Sequence, residues 1–259
     1  MALIFSAFLS MFSPQVQKPL PDLNSFLAEF RKTLHTDTVA LSQYAYTEKQ
    51  TSMELGPRGN TVRTEVKVYE VTPGPQGTVR RRLVSVNGAP ASDEPQRGNR
   101  QLKSNADRQG SDQANAEQDE EVINEAFALY DIRIDGREII DGRPAIRLTF
   151  RPRPGFRPKT TQGEFMQHVA GQAWVDEADH QLVRVDAEAI DTFSLGNDLT
   201  ARLQKGASIT AERRKFDNTA WLPIKTEMAL SARVLLVRNV NMRQITEYSN
   251  HKRVANPRD

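Results

Sequence analysis

The sequence is informative first in what it lacks. It contains no cysteine, which excludes disulfide bonds, thiolate metal sites, a cysteine nucleophile and a lipid-anchoring cysteine after a leader. Aromatic residues make up 7% and are not interleaved with basic residues as single-strand nucleic-acid binding requires. The 35 basic residues nearly balance the 33 acidic ones, so the protein lacks the polycationic character of nucleic-acid binders. We therefore expect no nucleic-acid partner.

Recognisable catalytic motifs are also missing from the sequence. It holds no GxSxG elbow, no glycine-rich phosphate loop and no HExxH or HxH pair, and its four histidines are scattered. Asp135 and Asp141 each precede a glycine, and this turn chemistry explains both carboxylates without catalysis. We predict that the protein is not an enzyme and that it has no catalytic residue, no metal site and no cofactor.

Long apolar runs are confined to the N-terminus. Residues 2–12, ALIFSAFLSMF, are almost wholly apolar, too short to span a bilayer, and similar to the core of a secretory signal peptide. No lysine or arginine precedes the run and no clean cleavage site follows it, so a buried strand is the alternative. We predict that residues 1–21 are a signal peptide and linker, and that the protein is periplasmic or secreted.

The first predicted element of the folded domain is a helix near Asp22–Thr36. Asp22 is a suitable N-cap, and five apolar residues follow a helical period: Leu23, Phe26, Leu27, Phe30 and Leu34. Such a broad stripe is expected to pack against a sheet. A membrane-surface helix is the alternative, but the polar face is not strongly cationic.

From residue 41 onward the apolar period changes to two, which indicates strands. Strands are predicted at 41–55, 61–71, 79–86, 144–152, 207–217, 221–234 and 235–253, with a tight turn at Asp141-Gly142. Leu222, Ile224, Met228 and Leu230 are expected to share one face of their strand. A further hairpin at 171–189 alternates apolar and polar residues, and its Trp174 predicts that the second sheet face is covered at one end.

Two charged stretches interrupt these strands. Arg80, Arg81 and Arg82 are expected at a solvated strand end, with an anion or lipid head-group contact as the alternative. Residues 89–121 are almost entirely polar and predict a charged, flexible insertion. The insertion leads into an amphipathic helix near 114–129, which is either a movable lid or a rigid cover.

Three segments give the chain a family resemblance: DLNSFLAEFRKTL, IDGRPAIRLTFRP and GQAWVDEADHQLVRVDA. With the strand-rich C-terminus ITAERRKFDNTAWLPIKTEM, they resemble the LolA/LolB-like periplasmic carrier superfamily, which includes LppX-type and RseB-type domains. The resemblance covers about residues 22–250 and departs from the true carriers in the longer insertion at 89–121. It implies a single α+β, mainly β domain at 22–253: a curved antiparallel sheet, or half-barrel, covered by helices on its concave side.

The resemblance also implies a function and a site. The expected function is a non-enzymatic envelope protein that binds a lipid or a lipoprotein acyl chain in an apolar cavity. The alternative is an envelope sensor or protein-interaction domain with a filled core and envelope proteins as partners. The candidate cavity residues, each of which is also suited to a packed core, are Phe30, Phe127, Ile146, Leu148, Phe150, Leu222, Ile224, Met228 and Leu230.

Overall fold

A computed structural model describes residues 18–34, 37–74, 79–91, 112–194, 201–234 and 238–254. Residues 1–17 of the predicted signal peptide and linker (residues 1–21), including the apolar run at 2–12, and most of the charged insertion lie outside these residues. Four helices are described, and their bounds are α1 Leu23–Thr33, α2 Asp37–Leu41, α3 Asp112–Leu129 and α4 Thr161–Met166. The described residues include no helix that is both long enough and apolar enough to cross a membrane.

The strands form one large antiparallel sheet that is curved and open. Their bounds are β1 Tyr44–Leu55, β2 Thr61–Pro73, β3 Val79–Val86, β4 Ala89–Pro90, β5 Tyr130–Ile140, β6 Arg143–Pro152, β7 Val169–Asp176, β8 Leu182–Ala189, β9 Phe193–Ser194, β10 Ala201–Leu203, β11 Ser208–Phe216, β12 Ala220–Val234 and β13 Arg238–Arg253. The main path runs β4-β3-β2-β1-β13-β12-β11-β8-β7-β6-β5. The predicted fold class is therefore confirmed.

Turn chemistry and capping explain several of these boundaries. Asp141 and Gly142 both have positive φ, at 50° and 77°, so the predicted tight turn joins β5 to β6. Asp22 caps α1 by accepting a hydrogen bond from the Ser25 backbone nitrogen at 2.9 Å. The predicted strand at 41–55 begins only at Tyr44, because Leu41 ends the short helix α2.

Helix α1 covers one face of the sheet. Its Phe26 and Phe30 are buried against Ile146, Leu148 and Val175 in the largest described apolar cluster. The stripe predicted from the sequence therefore packs on a sheet. Helix α3 contacts α1 through Arg31 Nη2, which donates to Asn124 Oδ1.

The opposite face of the same strands is also covered, as Trp174 predicted. Trp174 packs with Ala145, Val183 and Trp221 in a second buried cluster. The register of β7 and β8 shifts next to Trp174, and Val183 lies at this bulge. The bulge explains why Val183 joins the Trp174 cluster although the alternation of 171–189 places it with Val185.

Candidate functional site

A row of directly paired residues crosses five strands on the face that carries α1. Phe150 pairs with Gly171, and Gly171 pairs with Ala187. Ile209 then pairs with Ala187 on one side and with Met228 on the other. Directly paired residues in an antiparallel sheet share a face, so all five point the same way. Four strand spacings of about 4.8 Å give the row a length of roughly 19 Å.

The neighbouring row on the same face is also apolar. Leu148, Ala173, Val185 and Ala211 pair in that order across β6, β7, β8 and β11. We call these two rows together the apolar strip, which consists of Leu148, Phe150, Gly171, Ala173, Val185, Ala187, Ile209, Ala211 and Met228. Four of its members are glycine or alanine, so its middle is shallow.

The strip lies between two packed regions and is itself only partly covered. At one end Leu148 and Ala173 lie under Phe26 and Phe30 of α1. Beyond the other row, Ala189 and Leu230 pack with Phe193 in a separate cluster. Between these regions the side chain of Ile209 remains 36% exposed. An exposed isoleucine in an apolar row is a candidate contact for an apolar ligand.

The nine residues predicted to line a cavity do not meet in one place. Five of them, Phe30, Phe127, Ile146, Leu148 and Phe150, belong to the α1 cluster or pack against it. Leu222 is buried with Leu41 and Tyr44, and Leu230 packs against the Phe193 cluster. Leu148, Phe150 and Met228 are members of the apolar strip. Their role in ligand binding stays a prediction.

Ile224 is separated from its predicted neighbours by a register shift. Pairing of β11 with β12 passes from Glu212–Lys225 to Arg213–Pro223, so Ile224 has no partner in that register. Ile224 instead lines a pocket of about 180 Å³ beside Trp174, whose other walls include Glu138, Arg184 and Glu212. This volume is below the range of about 300–1,000 Å³ typical of small-molecule sites. The pocket is also largely charged.

A polar cluster lies on the strip face beyond Met228, on strands β1, β2, β3 and β13. It consists of Tyr46, Glu48, Tyr69, Arg81 and Tyr248. Glu48 pairs in register with Tyr69 on one side and Tyr248 on the other. Arg81 donates to both carboxylate oxygens of Glu48, at 3.0 Å from Nε and 2.7 Å from Nη2. Residues 80–82 are exposed at the start of β3, as predicted for a solvated strand end, but Arg81 is in addition bound to Glu48.

Burial shapes the titration of this polar cluster. Burial, reinforced by the neighbouring Glu48 carboxylate, raises the pKa of Tyr248 to about 12. The same two causes raise the pKa of Tyr46. Both phenols are therefore neutral at physiological pH.

The residues with acid–base or metal-binding chemistry are dispersed. His168 pairs with Asp191, with 2.8 Å between Nδ1 and Oδ1, whereas His180 contacts Phe26 and His251 stacks on Tyr46. Asp135 and Asp141 pair with Arg147 and Arg214, as expected for surface carboxylates. In the part of the chain that the structure describes, no group of three or more His, Asp or Glu residues could hold a metal ion.

Sequence reasoning missed parts of the strip and of the polar cluster. Ile209 and Ala211 alternate with the polar residues Ser208, Thr210 and Glu212 in the predicted strand 207–217, and this pattern is a usable signal for one shared face. Glu48 and Arg81 are 33 residues apart and give no local signal of their contact. Buried Glu125 and Asp176 were likewise not singled out.

Comparisons with known proteins give similarities among solved structures. No family model and no curated protein matches the chain. The chain is similar to a LolA superfamily protein from Nitrosomonas europaea, with 14% identity, coverage of 90% of this chain and 94% of that chain, and a TM-score of 0.31. It is also similar to a DUF1329 family protein from Desulfovibrio piger, with 15% identity, 89% and 92% coverage, and a TM-score of 0.32.

A third similar structure is MucB in complex with MucA. Here the identity is 12%, the coverage is 91% of this chain and 100% of that chain, and the TM-score is 0.26. The superfamily that the sequence resembles is thus found again among solved structures similar to this chain.

Proposed function

We propose that this protein is a non-enzymatic binding protein of the cell envelope, and that it holds an acyl chain of a lipid or lipoprotein along the apolar strip. The observation that carries the proposal is a continuous apolar row across five strands in which Ile209 stays 36% exposed. A ligand that covers Ile209 would remove apolar surface from water, and this burial favours binding.

The shape and chemistry of the strip suit an acyl chain. The small side chains of Ala187 and Ala211, both only partly buried, let a chain lie beside the exposed Ile209, whereas the Phe150 ring covers Gly171 and α1 covers Ala173. Each buried CH₂ group contributes about 0.8 kcal/mol, so a long chain needs apolar contact but no reactive group. Phe150 and Met228 stand at the two ends of the first row and would contact the chain there.

A protein-interaction domain is the second candidate, and a specific observation favours it. Five of the nine predicted cavity residues pack tightly with α1 or its cluster, and the pocket beside Trp174 is small and charged. A filled core of this kind is expected of a domain whose partner docks on its surface. In that case the exposed part of the strip would contact a protein side chain instead of a lipid.

Native mass spectrometry of protein purified without detergent, followed by organic extraction, tests the proposal. We expect a stoichiometric lipid or fatty acid, and we expect Ile209→Glu to lose it because a carboxylate would be buried under the chain. The matched control is Ile139→Glu, since Ile139 is 67% exposed and lies outside the strip. An apo mass that does not shift when palmitate or phospholipid is added would favour the interaction domain.

A further inference from the structure

The arginine run at residues 80–82 contains one side chain that differs from its neighbours. Arg81 is fixed on two sides: Glu48 accepts from its Nε and Nη2, and the Tyr69 ring lies 3.5 Å from its guanidinium carbon. Glu48 in turn accepts a hydrogen bond from Gln50 Nε2 at 2.7 Å. Arg81 therefore has a defined orientation, unlike a freely solvated arginine.

The adjacent Arg82 shows the contrast. Its ion pair with Glu70 has side chains that are 72% and 53% exposed, whereas the Arg81 and Glu48 side chains are 37% and 10% exposed. A pair as exposed as Arg82–Glu70 is worth little in water. The Arg81–Glu48 pair is partly desolvated, while the Arg81 side chain stays 37% exposed and its Nη1 takes no part in the two bonds to Glu48.

Arg81 and the apolar strip share one face of the sheet. The second row of the strip continues from Ala211 to Thr226, then to Thr246 and Gln50. Glu48 lies two residues from Gln50 on β1 and thus on the same face. Two strand spacings and four residues separate Met228 from Glu48, a distance of roughly 16 Å over a flat sheet.

We propose that the Nη1 edge of Arg81 binds a phosphate oxygen of a phospholipid head group whose acyl chain lies on the apolar strip. The inference rests on the proposed function, because the strip must hold the chain. An arginine suits this task since its guanidinium is always charged and offers several donors in one plane. Glu48 and Tyr69 position the guanidinium so that little side-chain entropy is lost when the head group binds.

Two lipids with the same chain separate the head-group site from the strip. The probes are palmitoyl-lysophosphatidylglycerol, which has a phosphate, and monopalmitoylglycerol, which does not. Native mass spectrometry or tyrosine and tryptophan fluorescence gives the affinity of each for the wild-type protein. We expect the phosphate lipid to bind about tenfold more tightly, as one charge-assisted hydrogen bond allows.

The variants make the test specific to Arg81. Glu48→Gln combined with Arg81→Gln removes the charged pair without leaving a buried carboxylate alone. It should abolish the preference for the phosphate lipid and leave the affinity for monopalmitoylglycerol unchanged. Arg81→Lys should keep part of the preference, since the charge remains but the planar fork is lost. Arg82→Gln is the matched control and should retain the whole preference.

The outcomes distinguish the two proposals. Equal binding of both lipids to the wild-type protein, or an equal loss of preference in Arg82→Gln, would overturn the role of Arg81 and leave the strip intact. Binding of inorganic phosphate at the same affinity as the phosphate lipid would also overturn it, because the chain would then contribute nothing. If neither lipid binds the wild-type protein, the proposed function itself fails.

Discussion

Two regions on the same face of the sheet are both apolar but differ in what lies above them. Under α1, Ile146 and Val175 are fully buried by Phe26 and Phe30. Across β8, β11 and β12, the apolar strip presents small residues and an Ile209 that is 36% exposed. The first region is covered by α1, and the second is partly open to solvent. Composition alone does not distinguish a covered apolar face from a partly open one, whereas the position of one helix does.

Two matched substitutions should show the largest difference between the region under α1 and the apolar strip. Ile146→Ala removes a side chain with no exposure and should lower the free energy of unfolding by about 3–4 kcal/mol, through lost burial and the cavity left behind. Ile209→Ala should lower it by about 1 kcal/mol or less, since much of that side chain is already in contact with water. Urea denaturation of the purified variants measures both. Equal losses would mean that Ile209 belongs to the core.

The covered region also depends on one buried carboxylate. Glu125 of α3 accepts hydrogen bonds from the backbone nitrogens of Lys159 and Thr160 and from the Thr160 hydroxyl. Thr160 is the N-cap of α4, so Glu125 joins the two helices. Gly163 lies directly beside it, and a Cβ there would overlap the Glu125 carboxylate, so a larger residue would have to displace that carboxylate.

Glu125→Ala should lower the free energy of unfolding by roughly 1–2 kcal/mol, since two partly buried backbone donors and the Thr160 hydroxyl lose their acceptor. Hydrogen exchange should quicken at residues 159–164 before it changes at the apolar strip. Glu121→Ala is the control, because Glu121 is exposed on the same helix. Unchanged protection of residues 159–164 in Glu125→Ala would show that α4 is held by its other contacts.

The direction of the Glu125 pKa shift determines how pH changes the stability of this joint, the contact between α3 and α4. Burial alone would raise the pKa, but the hydrogen bonds from Thr160 and Lys159 more than offset it, so the pKa lies below its ordinary value. The stabilisation is therefore complete above the unfolded pKa, near 4.5, and is lost as the pH falls through the folded pKa. At neutral pH the joint between α3 and α4 is fully formed.

Local pattern accounts for what the sequence predicted, and distant contacts account for what it did not. The cap at Asp22, the turn at Asp141-Gly142 and the alternation of β6 depend on neighbouring residues only, and the structure has them as expected. The contact of Arg81 with Glu48 depends on which strands pair. The alternation in the sequence predicts that Ile224 shares a face with Leu222. The register shift that separates Ile224 from this pattern leaves no signal in composition.

A third region of this face lies near the polar cluster. Between pH 7.5 and 5.5 it should make the stability of the protein depend on pH, which we do not expect of the region under α1 or of the apolar strip. His251 stacks on Tyr46 and lies 4.7 Å from the Phe216 ring, measured between centroids. Burial lowers the pKa of His251, and by geometry neither of its buried ring nitrogens has a hydrogen-bond partner among the described residues. The folded protein therefore holds this ring neutral more strongly than the unfolded chain does.

The consequence for stability has a definite sign. Because the folded pKa lies below the unfolded value near 6.5, the contribution of His251 is complete above that pH and is lost as the pH falls below it. Urea denaturation should show a lower free energy of unfolding at pH 5.5 than at pH 7.5. His251→Phe keeps an aromatic ring between Tyr46 and Phe216 and should make this decrease smaller. His180→Phe is the comparison variant, because His180 lies outside the polar cluster, against Phe26 of α1. An identical decrease in His251→Phe would assign the pH response to other groups. The polar cluster would then be as insensitive to pH in this range as the apolar strip.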